Sequence, residues 1–211
     1  MINTNRVLND EDRVRYEDSI RIMFQLCPDM MSRKIPEANV QQAFVFDYIS
    51  EHFNKETRML CVGSFEDTAY ESLRKSGFSN ITAIDPELNI DLNEFWNQNH
   101  EKEGFEVIFA TSVLEHVNED ELFISQICDL LVEGGVGILT CDFNDDYIQG
   151  DAVPATVIRQ YTLFDLSARL RNTLYEKNCF YFGGVNWTAN KDFHMLEFDY
   201  DFATMVFAKR F

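Results

Sequence analysis

Residues 58–85 constrain this chain more than any other stretch. They hold a short apolar run, Met59-Leu60-Cys61-Val62, then a Gly63-Ser64 turn, a helical segment, a second strand over Ile81–Ile84 and an acid, Asp85. Strand, glycine turn, helix and strand make half of a nucleotide-binding βαβ unit. The acid stands 22 residues past Gly63, where one carboxylate can hold a ribose diol through two hydrogen bonds. The pattern asks for an adenosine-type ligand before it names any reaction.

From Met59 onward, strand-like runs alternate with helical patterns, as an α/β fold with a parallel sheet requires. Val107-Ile108-Phe109-Ala110 is continuously apolar and reads as a buried strand. Asn118 with Glu121 predicts a capping box; Phe123, Ile127, Leu130 and Leu131 form one helix face; Gly134-Gly135 is expected to end that helix before a strand over 136–140. Thr162 with Asp165 predicts another helix start, followed by strands over 179–182 and 202–207, with Gly183-Gly184 as a turn between. Residues 1–57 read as a helical cover or lid in front of a main unit, 58–211, the two forming one compact body. One helix is expected over 10–27, stopped by Pro28, and another from Pro36 to about Phe53. Either both helices merely cover one edge of the sheet, or the connection 28–36, with Met30, Met31, Arg33 and Lys34, folds over the ligand as a lid.

Charge narrows the partners. With 36 acidic against 18 basic residues the net charge is -18, so a nucleic-acid backbone would be repelled. No stretch approaches the roughly 20 apolar residues of a membrane-spanning helix, and no opening run reads as a signal peptide, so a cytoplasmic protein is expected. Five widely spaced cysteines, without a Cys-x-x-Cys pair, read as reduced core residues.

The turn Gly63-Ser64-Phe65-Glu66-Asp67 discriminates among ligands. A pyrophosphate would sit on the N-terminus of the following helix, and Glu66 and Asp67 already bring two carboxylates there. Phe65 also stands where a second glycine would let a phosphate approach, which disfavours a nicotinamide cofactor. A phosphate-free ligand with a positive centre suits the turn.

Four segments in order then resemble the class I S-adenosylmethionine-dependent methyltransferases: Leu60-Cys61-Val62-Gly63-Ser64, Ile84-Asp85-Pro86, residues 105–117 with their Leu114-Glu115-His116-Val117, and Leu131-Val132-Glu133-Gly134-Gly135. The likeness covers residues 59–142 and, more loosely, the final strand. It implies a Rossmann-like, mostly parallel seven-stranded sheet with an antiparallel last strand, helices on both faces and, here, an N-terminal helical extension. It also implies S-adenosylmethionine at the carboxyl ends of the first strands. The sequence departs from the family where Cys61 replaces the usual acid and where Phe65 and Asp67 replace glycines.

Carried onto this chain, the resemblance gives a cofactor set of Gly63, Ser64, Glu66, Asp67, Asp85, Pro86, Asp91, Leu92, Thr111 and Ser112. Glu66 or Asp67 would take the methionine ammonium, or Asp67 would simply cap the helix. His116 is the candidate base for a hydroxyl acceptor, against a helix-positioning role, and Asp142 follows the fifth strand as a second catalytic candidate. Arg159 and Tyr161, in the loop 141–161, are candidate substrate residues. Some relatives hold a metal through Glu-x-x-Glu-His; Ser112 occupies the first position here, and no metal is expected. The expected activity is methyl transfer, chiefly to oxygen, onto a small-molecule or carbohydrate-type acceptor. The alternative is a methyltransferase-like scaffold that has lost catalysis.

Overall fold

The structure, a computed structural model, describes residues 3–99, 104–188, 191–195 and 198–211. In chain order the elements are β1 (Asn5–Leu8), α1 (Asp10–Arg15), α2 (Glu17–Leu26), α3 (Pro28–Arg33), α4 (Ala38–His52), β2 (Met59–Val62), α5 (Thr68–Lys75), β3 (Ile81–Ile84), α6 (Leu92–Asn99), β4 (Phe105–Thr111), a 3-10 turn (Leu114–His116), α7 (Asp120–Leu130), β5 (Leu131–Phe143), a π-helical turn (Asp165–Arg169) running into α8 (Leu170–Glu176), β6 (Cys179–Tyr181), β7 (Val185–Asn186), β8 (Phe193–Met195) and β9 (Phe198–Lys209).

One sheet carries the strands, in the order β3-β2-β4-β5-β9-β1-β7, with β6 and β8 also paired to β9. β3, β2, β4 and β5 run parallel, and β9 is antiparallel to β5. Alternation of side chains across each strand divides the core in two. Leu60 and Val62 face a layer with Phe123, Ile127 and Leu170, whereas Met59 and Cys61 face a layer with Met23, Val40, Phe44 and Leu73. Helices therefore cover both faces.

Several expectations are corrected. Among the described residues the sheet has nine strands, and only α6 separates β3 from β4, which leaves β3 at the edge. Residues 5–8 form a strand instead of helix: β1 pairs antiparallel with β9 at Val7–Ala203 and Leu8–Phe202. The helix expected over 10–27 breaks at Tyr16, and Pro28 starts a helix, since its missing N–H costs nothing in a first turn. Pro36 lies in the turn before α4. The Asn118–Glu121 capping box does not form; α7 starts one residue later, and the Asn118 carbonyl accepts from Arg159 instead. Gly134, with a φ of +77°, sits at a bulge inside β5, where the register with β4 shifts, and the helix before it ends at Leu130. The Thr162–Asp165 cap forms in full. No described helix is long and apolar enough to cross a membrane, and all five cysteines are buried free thiols.

Candidate active site

The carboxyl ends of β2, β3 and β4 open on one side of the sheet, and the turn after β2 is shaped by what touches it. Gly63 and Ser64 donate their N–H groups to the Ile84 carbonyl at 2.9 and 3.1 Å, locking the turn to β3. Gly63 has a φ of +81°, and a Cβ there would meet Val113 Cγ2 at 2.4 Å. Only glycine satisfies both demands.

Asp85 closes the turn from the other side. Its Oδ2 accepts from Phe65 N at 3.0 Å and its Oδ1 from Glu87 N at 2.8 Å, so the carboxylate is oriented while each oxygen retains a free lone pair. On either side of Gly63, Asp85, Pro86 and His116 lie two adjoining cavities. The first, about 380 Å³, has an apolar wall of Ile84, Ile90, Leu92, Val117, Leu122 and Phe123. The second, about 490 Å³, is the more polar of the two, with Lys34, Gln41, Gln42, Asp67, Thr111 and Ser112 on its wall. One cavity suits a flat apolar ring and the other a charged, hydrogen-bonding tail, with the Asp85 carboxylate at their junction.

Asp67 caps α5, accepting from Tyr70 N at 2.7 Å. Its second oxygen, Oδ2, is buried with no hydrogen-bond partner, as is Thr111 Oγ1 on the wall of the same cavity. Burial pushes the Asp67 carboxyl up to about 6, against the pull of the Tyr70 N–H, the neighbouring Thr111 hydroxyl and the charge of Lys34. A carboxylate on a cavity wall with one oxygen lacking a hydrogen-bond partner fits a cationic ligand group, which is what the ammonium of S-adenosylmethionine would supply. Glu66, at a φ of +54°, turns away and pairs with Arg33 Nη2 at 2.8 Å. Phe65 is 55 % exposed; its ring borders the second cavity without filling it.

Among the remaining cofactor candidates, Asp91 caps α6 through Glu94 N at 2.8 Å and, with Leu92, lines the apolar cavity. Ser64 is buried and lines neither cavity. Ser112 sits at a φ of +57°, its N–H held by Thr140 and its hydroxyl donating to Glu115 Oε1.

His116 lines both cavities. Its Nδ1 is hydrogen-bonded to the Thr156 carbonyl, which can only accept, so Nδ1 carries the proton and Nε2 is left as the basic nitrogen. Asp142 differs from expectation: it is buried, lines neither cavity, and lies close enough to Glu115 for that charge to add to burial in pushing its carboxyl up. Arg159 and Tyr161 are also structural. Tyr161 is fully buried and donates to the Leu114 carbonyl and Asp120 Oδ2, both at 3.0 Å, while Arg159 pairs with Asp120 at 2.9 Å. Arg169 joins them, so three side chains converge on one carboxylate of α7. Among the described residues no group of three or more His, Cys, Asp or Glu is placed to hold a metal ion.

Sequence reasoning missed Gln41, Gln42 and Val113. Two adjacent glutamines buried in α4 beside Val40, Ala43 and Phe44 were the available signal. Val113 had none, because only the fold brings it onto Gly63.

No family model and no curated protein matches the sequence. Solved structures do match the fold. The chain superposes on 1,6-didemethyltoxoflavin-N1-methyltransferase from Burkholderia thailandensis, with 1,6-didemethyltoxoflavin and S-adenosylhomocysteine bound, at a TM-score of 0.52 and 14 % identity, over 96 % of this chain and 90 % of that one. The [4+2]-cyclase SpnF gives 0.54 and 14 %, over 91 % and 97 %. TehB from Haemophilus influenzae gives 0.50 and 16 %, over 79 % of this chain; the match spans 61 % of TehB. The fold is that of the class I methyltransferases.

Proposed function

We propose that the protein is an S-adenosylmethionine-dependent methyltransferase acting on a small-molecule acceptor, with hydroxyl groups, including those of carbohydrate-type molecules, as the favoured target. The observation that carries this reading is the pair of acids at the joined cavities. Asp85 stands beside an apolar recess, as an adenosine requires, and Asp67, whose Oδ2 has no hydrogen-bond partner, lines the second cavity, as an ammonium requires. Gly63, with no side chain, leaves the backbone open to the ligand.

S-adenosylmethionine would supply an electrophilic methyl group on sulfur. This chain's own part is to bind, orient and accept a proton. His116 Nε2, free because Nδ1 is committed to Thr156, takes the proton of an acceptor hydroxyl as its oxygen bonds the methyl carbon. A preference for oxygen over nitrogen rests on that free base, since a neutral amine needs less help to attack.

The likeness to a cyclase is a reminder that this fold hosts more than one chemistry. The test is isothermal titration with S-adenosylmethionine and S-adenosylhomocysteine on the wild type and Asp85→Ala, followed by transfer of a labelled methyl group to panels of hydroxylated and amine acceptors. Binding lost in the variant and label on an oxygen are expected. A well-folded protein that binds neither ligand overturns the reading in favour of a scaffold role.

A further inference from the structure

The candidate base of the cleft is held from outside the cleft. His116 ends the 3-10 turn Leu114–His116, and its Nδ1 meets the carbonyl of Thr156, 40 positions further along the chain. Thr156 opens a strap, residues 156–161, that apolar burial does little to fix: Thr156 is exposed and Ile158 is 40 % exposed. Polar ties hold it instead. Ile158 N donates to the Glu115 carbonyl at 2.9 Å, and the Tyr161 hydroxyl to the Leu114 carbonyl at 3.0 Å. Arg159 makes the charged tie, donating from Nη2 to the Asn118 carbonyl at 3.0 Å and from Nη1 to Asp120 Oδ2 at 2.9 Å. The planar fork of a guanidinium lets one side chain grip both ends of that short stretch.

Tyr161 is too far along the strap to do this work alone. It stands five residues from Thr156, enough chain for roughly 17 Å of travel. Arg159 lies between them and lines neither cavity of the cleft, whereas His116 lines both. We infer that Arg159 is a positioning residue for His116: by tying the strap to Asn118 and Asp120 it keeps the Thr156 carbonyl on Nδ1, which fixes the tautomer of the ring and leaves Nε2 as the basic nitrogen. The inference rests on the methyltransferase reading only for the use made of Nε2, since the tautomer belongs to the folded protein with or without a ligand.

The test reads the ring nitrogens directly, by nitrogen NMR of the full chain labelled at histidine, at a pH where the imidazole is neutral. Wild type, Arg159→Met and Arg159→Gln are compared, and the spectrum of His116→Gln assigns the signals. Both Arg159 variants leave Asp120 paired with Arg169 and Tyr161, so no buried charge is stranded, and the result does not hang on the folding of one protein. In the wild type, Nδ1 should show the shift of a protonated nitrogen and Nε2 that of an unprotonated one. In the Arg159 variants the two shifts should move towards each other, as in a ring exchanging between tautomers. Gly77→Ala, which strains a turn away from the cleft, should leave them at their wild-type values. Methyl transfer should slow about ten- to a hundredfold in kcat in the Arg159 variants, while affinity for S-adenosylhomocysteine stays within about twofold. Wild-type shifts in both Arg159 variants, or a wild-type ring protonated at Nε2, overturn the positioning role whatever the protein catalyses. A wild type that neither binds S-adenosylhomocysteine nor transfers a methyl group sinks the methyltransferase reading instead, and the nitrogen shifts still decide the role of Arg159.

Discussion

Val113 is seated directly on Gly63: a Cβ at residue 63 would lie 2.4 Å from Val113 Cγ2. Gly63→Ala should therefore cost about 1–3 kcal/mol in chemical denaturation, through overpacking added to an unfavourable φ, and should abolish binding of S-adenosylhomocysteine. Gly77 supplies the control. Its φ is +97°, but a methyl group there would meet nothing within 4 Å, so Gly77→Ala should show only the backbone cost of about 1 kcal/mol and bind normally.

Asp67 gives the site a pH dependence whose sign follows from its raised carboxyl. In the free protein it titrates at about 6, above its ordinary value of 3.8. Between those values the folded state binds the extra proton, so this group adds stability as pH falls through 6. Ligand binding runs the other way, because the ammonium needs the ionised form. Affinity for S-adenosylhomocysteine should fall as pH drops from about 7.5 to about 5, and binding near pH 6 should release a proton, seen as a buffer-dependent enthalpy. Asp67→Asn, which still caps α5, should lower affinity and flatten the profile.

Behind the cleft, burial raises both the Glu115 and Asp142 carboxyls, and the charge of Glu115 raises Asp142 further. Folded values above the unfolded ones mean stability that grows as pH falls from neutrality through the raised values. Asp142→Asn removes one of these costs. Its Tm near neutral pH should rise, by about 2–4 °C for each kcal/mol relieved, and its gain on acidification should shrink. Methyl transfer should survive, since Asp142 does not reach the cavities.

Asp120 has the opposite character. Two guanidiniums and the Tyr161 hydroxyl hold its carboxyl below the usual range against the opposing effect of burial. Its contribution is present above the unfolded value and is lost as pH falls through the depressed folded one. Asp120→Ala strands these partners and should cost about 3–5 kcal/mol. Cofactor affinity, measured on whatever fraction remains folded, should be near wild type.

How far the sequence revealed this arrangement depended on the range of the forces involved. β2, β4 and the apolar half of β5 were legible because strands buried on both faces must be apolar throughout, and the Thr162–Asp165 cap because it is made within four residues. β1 was not: Asn5-Arg6-Val7-Leu8 has no strong period, and what holds it includes the bond from Arg6 N to Thr204 Oγ1 at 3.0 Å, far along the chain. Arg159 and Tyr161 looked like substrate residues because their loop is polar; only the packed α7 reveals Asp120 as their partner. Asp85, His116 and Asp67 could be read at the cleft because strand ends fix where their backbones go. Gln41 and Gln42 could not, since their partners are hydroxyls and an N–H group from α5 and β5.

β9 lies between β5 on one side and β1, β6 and β8 on the other. During synthesis β1 therefore leaves the ribosome long before its partner exists, since Arg6 and Thr204 are 198 residues apart. The early helices have partners sooner, since Val40 and Phe44 share a layer with Met59, Cys61, Val107 and Phe109, whereas Val7 and Leu8 meet Ala203 and Phe202 only when the late strand arrives. Closing that side of the sheet is therefore the step of longest range in the fold.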